Sequence, residues 1–202
     1  MSAPVSEPRF WCTALLLALA ALAGPANAVD EPALLKDVPQ MVRSGKLDDA
    51  QRIVDRVLAA NPKHVAARFQ KSVLLTERGR SDEAIALLQD LAGEYPELPE
   101  PHNNLAVLYA AKGQYDNARV ELANAEKADP GYPLASENLA DVYVKLAELE
   151  YEKAAKLDLN NQAVRTKHNT LQPLVAPPKA SAATPPAAAA PAPSAPAKPA
   201  SR

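Results

Sequence analysis

The residue types that could do chemistry are few and scattered. His64, His102 and His168 lie far apart with no metal-ligand spacing, and His102 reads as a solvent-exposed histidine. The paired carboxylates Asp48-Asp49 and Asp82-Glu83 are the type of residue that works as acid and base. Each pair opens a helical stretch, where negative charge favours the positive end of the helix dipole, so a structural role is sufficient. Cys12 is the one cysteine, and it precedes an apolar run, so it reads neither as a disulfide half nor as a lipid-attachment site. There is no H-E-x-x-H, no G-x-S-x-G and no glycine-rich phosphate loop. These absences predict a chain that is not an enzyme and takes no metal or cofactor.

Regular spacing is the stronger signal. Gly45, Gly79 and Gly113 are 34 residues apart; so are Ala50, Ala84 and Ala118, and so are Pro62, Pro96 and Pro130. Each glycine suits a turn between helices, where a residue without Cβ tolerates positive φ. Each alanine suits a close approach between helices, and each proline stops the helix before it. One unit is therefore helix, turn, helix, stop, and the period itself predicts a stacked repeat protein.

These landmarks resemble the tetratricopeptide repeat (TPR) family. Residues 99–132 match best, with Leu105, Ala106, Tyr109, Gly113, Tyr115, Ala118, Leu122, Ala125 and Pro130 at the family's offsets. Residues 65–98 match through Leu75, Gly79, Ala84, Leu88, Leu91 and Pro96, and depart at Ser72 and Ser81. Residues of about 31–64 keep Gly45, Leu47, Ala50, Val54 and Pro62. Pro39 falls inside the first helix of that unit, which is expected to begin or kink there. The resemblance implies an all-α, right-handed α-solenoid of helix hairpins, with Tyr109, Tyr115 and Tyr143 at packing positions.

The fourth unit, residues 133–161, is shortened. Leu139, Ala140 and Tyr143 repeat Leu105, Ala106 and Tyr109, but the unit's end arrives five residues early. The loss falls between Tyr143 and Ala147 and removes the turn and its glycine. Tyr143, Ala147 and Tyr151 then share one side of a helix, which predicts a single continuous helix over about 134–157. Residues 162–172 read as a capping helix whose polar outer face carries Arg165, Lys167, His168 and Asn169.

The two ends differ from the repeats. Arg9, the apolar run at 13–23 and Ala26-Asn27-Ala28 read as a cleaved secretory signal over 1–28. The run is too short for a membrane-spanning helix, so no stable anchor is expected after cleavage. The repeat domain is then 29–172. Residues 173–202 read as an extended, disordered Pro/Ala-rich tail that serves as tether or spacer. From 176 onward the tail has Lys179, Lys198 and Arg202 and no acid. Glu7 and Arg9 cancel, so a chain of net charge −2 leaves −5 on residues 29–175. A mildly acidic domain offers no basic surface for nucleic acid.

In the family, first-helix residues line a concave groove that binds peptides. Carried over by position, these are Phe69, Gln70, Val73 and Thr76 in unit two and Asn103, Asn104, Val107 and Ala110 in unit three. Unit four contributes Glu137, Asn138, Asp141 and Val144. An asparagine amide offers two donors and an acceptor and suits an extended backbone; the other reading of Asn104 and Asn138 is that they satisfy local helix groups. Lys36 with Glu137 and Asp141 departs from the basic groove that holds a C-terminal carboxylate. The stretch 96–109 and the shortened fourth unit resemble small exported proteobacterial TPR proteins. The expected function is a periplasmic scaffold or adaptor that holds a segment of an envelope protein. The alternative is a homodimer built through the long fourth-unit helix.

Overall fold

The computed structural model describes residues 34–180, and all described regular structure is helical. The elements are α1 (Val38–Arg43), α2 (Leu47–Ala60), α3 (Val65–Glu77), α4 (Ser81–Glu94), α5 (Pro99–Ala111), α6 (Tyr115–Ala128), α7 (Pro133–Leu157) and α8 (Gln162–Leu171), followed by a 3₁₀ turn at Gln172–Leu174. Each helix packs on its sequence neighbour, and α1 also meets α3 as α5 meets α7. First helices of successive units, α1 with α3 and α5 with α7, thus stand side by side in an α-solenoid. Residues 1–33, which include the expected signal, and the tail beyond residue 180 lie outside the described residues.

The turns follow from glycine. Gly45, Gly79 and Gly113 have φ of 73°, 73° and 74°. At each turn the glycine N–H donates to a carbonyl three residues back, and the next N–H donates to one five residues back, as in Gly113 to Ala110 and Gln114 to Tyr109, both at 2.9 Å. These bonds close the open carbonyl end of the helix, and only a left-handed residue lets the chain make them. Asn61, Tyr95 and Asp129 end α2, α4 and α6, and each precedes a proline that disfavours further helix. Pro39 sits in the first turn of α1, where its missing N–H costs nothing.

The core has two parts. The first, under units one and two, includes Phe69, Leu74, Leu88 and Leu91 and reaches Leu105 and Leu108 of α5. The second, under units three and four, is mostly alanine, with Ala106, Ala110, Ala118, Ala125 and Ala135 around Leu122 and Val142. Ala50, Ala84 and Ala118 have no exposed surface, as close helix approach requires. Each fully buried leucine removes apolar surface worth roughly 1.5–3 kcal/mol.

Unit four is a single helix of 25 residues, about 37 Å at 1.5 Å per residue. Tyr143 is 52% exposed, which corrects its assignment to a packing position. Tyr109, its counterpart in unit three, accepts a hydrogen bond from Gln89 Nε2 at 2.9 Å. The residue 34 beyond Gln89 is Ala123, which has no donor to offer.

Candidate functional site: an amide-lined groove holding the chain's own tail

The site lies where α5 and α7 run together. Asn138 on α7 donates through Nδ2 to Asn103 Oδ1 at 2.7 Å and to the main-chain carbonyl of Lys179 at 2.8 Å. Its Oδ1 accepts from the Lys179 N–H at 2.6 Å. One amide therefore grips both polar groups of one backbone residue. Asn103 Nδ2 adds a 3.2 Å bond to the same carbonyl and another of 3.2 Å to Asn104 Oδ1. Both amide donors and the acceptor of Asn103 and of Asn138 are used. Both side chains are fully buried, which is where an unmet amide would cost most.

Charge follows the same geometry. The Lys179 ammonium pairs with Glu137, the residue before Asn138. That hydrogen bond, then the charge of Glu137 and more weakly of Asp141, raise the Lys179 pKa above the usual ammonium value. Upstream of Lys179, residues 175–178 border a cleft of about 400 Å³ whose other wall includes Val107, Ala110, Tyr115 and Val142. Residues 175–179 thus form a strap along the groove. The tail assigned from residue 173 is therefore held to the repeats through Lys179. Pro177 and Pro178 favour an extended backbone, and an acid-free segment meets no repulsion from Glu137 and Asp141.

The proposed groove residues divide between two environments. Asn103, Asn104, Glu137 and Asn138 meet at the strap, and Val107, Ala110 and Asp141 line the cleft below it. Phe69 and Val73 instead belong to the first core, with Phe69 fully buried, because an aromatic side chain at that register fills space between helices. Gln70 is also fully buried, and neither of its amide atoms has a partner. Thr76 is half-buried and donates to the Ser72 carbonyl on its own helix at 3.0 Å. Val144 is half-buried on α7. Tyr115, Val142 and Lys145 were not foreseen. Lys145 falls one turn after Asp141 on the same helix face, a spacing legible in the sequence.

Two histidines are structural. His102 is only 9% exposed, and its Nδ1 lies 2.8 Å from Glu121 Oε2, which corrects the solvent-exposed reading. His168 turns inward to Glu148 Oε1 at 3.0 Å, so it belongs to the seam with α7 and not to the polar outer face. Lys145 Nζ reaches the other Glu148 oxygen at 2.8 Å. Glu148 is held below the usual carboxylate range, first by its hydrogen bond to Lys145, against the opposing effect of burial, and then by its bond to His168. Lys145 is correspondingly raised by its bond to Glu148. Among the described residues no group of His, Cys, Asp or Glu could hold a metal ion, and no helix is long and apolar enough to cross a membrane.

Stacked helix hairpins whose inner helices present amides to an extended polypeptide define a class, the helical-repeat interaction scaffold. Tetratricopeptide repeat profiles match residues 42–99 and 99–132, so this part of the chain consists of tetratricopeptide repeats. It is 34% identical over 77 residues to the TPR repeat-containing thioredoxin TTL4 of Arabidopsis thaliana, covering 38% of this chain and 11% of that protein. It is 28% identical over 146 residues to ER membrane protein complex subunit 2-A of Xenopus laevis, covering 68% of this chain and 49% of that protein. The chain therefore spans between about a tenth and about half the length of these relatives. Among solved structures, Naa15/Naa10 bound to HypK-THB superposes with a TM-score of 0.53 at 18% identity, over 71% of this chain and 22% of that one, a likeness of fold alone. Tetratricopeptide repeats are protein-interaction scaffolds, typically without catalytic activity.

Proposed function

We propose that this chain is an exported periplasmic adaptor that holds an extended segment of a cell-envelope protein in the groove between α5 and α7, with no catalytic role of its own. One observation carries the binding reading: Asn138 and Asn103 together make three hydrogen bonds to the main chain of one residue, Lys179. Such contacts accept a backbone whatever its side chains, and they use the groove as the family's scaffold is used. Export is supported by Arg9, the apolar run at 13–23 and Ala26-Asn27-Ala28. The envelope role is supported by the resemblance to small exported proteobacterial TPR proteins. The homodimer has weaker support, because α8 packs on α7 and covers part of the helix it would use.

A photo-crosslinking residue placed at Val107 in living cells, followed by fractionation and mass spectrometry, tests this function. The expected product is an adduct with a segment of an envelope protein in the periplasmic fraction, lost on Asn138→Ala. Protein retained in the cytoplasm would refute export, and the absence of any adduct from the groove would refute the binding role.

A further inference from the structure

We propose that residues 175–179 are a built-in copy of the partner's recognition segment. The groove takes, from a partner protein, an extended segment in which proline or small residues precede a lysine or arginine, and the strap competes for that seat in cis. The proposal rests on the groove function proposed above and specifies its ligand.

The strap displays what the groove selects. Asn138 bonds both the N–H and the carbonyl of Lys179, a two-point grip suited to a residue whose polar groups point to one side, as in extended chain. Asn103 reinforces the carbonyl end. Beside this grip Glu137 binds the ammonium and Asp141 adds negative potential, so a cation belongs at this position and an acid does not. Before the lysine come Pro177 and Pro178 along the cleft. Prolines hold φ near −65°, so a segment carrying them loses little conformational freedom on binding. The partner proposed is therefore basic, proline-containing and extended, complementary to a domain whose repeats are acidic.

The connection makes the competition strong. α8 ends at Leu171, and one 3₁₀ turn, Gln172–Leu174, separates it from the strap. A ligand on so short a tether has an effective concentration in the millimolar range. A partner meets only the fraction of molecules whose groove is open, and its apparent affinity falls by that fraction. α8 itself is fixed to α7 through His168 and Glu148, so the strap is delivered to the groove from a fixed point.

The test uses the full chain and a fluorescent, end-capped peptide with the sequence of residues 174–180, read by anisotropy. Lys179→Glu removes the strap's cation and turns it against Glu137 and Asp141. Pro177→Gly with Pro178→Gly loosens the strap and leaves all groove residues intact. Circular dichroism verifies that each variant keeps its helix content. Both variants should bind the peptide at least about tenfold tighter than the natural chain. A peptide with glutamate in place of its lysine should bind none of them. Equal binding by all three proteins would overturn the cis competition and leave the groove function standing. No binding to any of them up to about 1 mM would overturn the ligand chemistry, because a strap that weak would not hold even on its tether. The Val107 crosslink then distinguishes a groove with a different ligand from a groove with none.

Discussion

The inner faces of unit two and of units three and four occupy the same register and do different work. At one position the chain carries Phe69, Asn103 and Glu137; four residues on it carries Val73, Val107 and Asp141. Phe69 and Val73 pack into the apolar core, and the inner face of unit two closes on itself. At Asn103 and Glu137 the face turns polar, the core behind it shrinks to alanines, and an extended strand of chain is bound. The repeat backbone is indifferent to this choice. A helical repeat sets where inner residues stand, and side-chain type then decides whether a unit contributes stability or recognition.

That contrast can be broken at either end. Phe69→Ala should cost the most, about 3–5 kcal/mol, because a fully buried aromatic leaves a cavity in the larger core. Urea denaturation reads the loss. Asn103→Ala should instead affect strap contacts more than global stability, which protection of the Lys179 amide in hydrogen exchange would report. A fall in stability from Asn103→Ala as large as that from Phe69→Ala would abolish the distinction between the two faces.

Acid sharpens it next. Glu148 is 9% exposed, bonds Lys145 on its own helix and ties α7 to α8 through His168. Its pKa is lower in the folded protein than in an unfolded chain. Its stabilisation is therefore fully present above the ordinary carboxylate range and is lost as pH falls through the lowered folded value. Glu94 in unit two is lowered too, by its bond to Arg68, but it is 44% exposed and stands beside the apolar core. Hydrogen exchange should show α8 losing protection before α3 and α4 do as pH falls below the ordinary carboxylate range. Glu148→Gln should reproduce much of this at neutral pH, at a cost of about 2 kcal/mol.

The period made the hairpins, the glycine turns and the fused α7 legible in advance, because each depends on local backbone physics. Gly113 must turn left-handed, and a run without Gly or Pro from 134 to 157 has nothing to end it. The polar seams were not legible in the same way. His102 meets Glu121 and His168 meets Glu148 across helix interfaces, and no spacing within one helix announces such pairs. The strap was harder still. Its lack of acid matched an acidic fourth unit, but only the return of the chain at α8 brings Lys179 to Asn138. Gln70 shows the limit from the other side: it repeats the register of Asn104 and Asn138, yet it lies buried with its amide unpaired.

The turn and the fused helix make opposite demands at the next smaller scale. Gly113→Ala meets no atom within 4 Å, so its cost is the left-handed backbone alone, about 1 kcal/mol. Ala147→Gly places the same residue type inside α7 and should also cost about 1 kcal/mol, now through lost helix propensity. Thermal unfolding should register both losses, and a neutral Ala147→Gly would mean that α7 is not a continuous helix.

The smallest effect is expected where the repeat looks most regular. Arg78 bonds Asp48 at 2.5 Å, and 34 residues on Lys112 bonds Asp82 at 2.6 Å, an ion pair copied from one turn to the next. Unit four has Leu146 at the next step, so the series ends with the lost turn. The two aspartates are 82% and 87% exposed, and water screens most of the attraction. Asp82→Asn should therefore change stability by less than about 0.5 kcal/mol, and raising salt should change it no further. A loss well above that in urea titrations would mean that the turns between helices, and not the contrast between apolar and polar inner faces, hold units two and three together. The preference for opposite charges at these positions would then be a stability device; otherwise it follows from acidic residues favouring the start of each second helix and basic ones the end of each first.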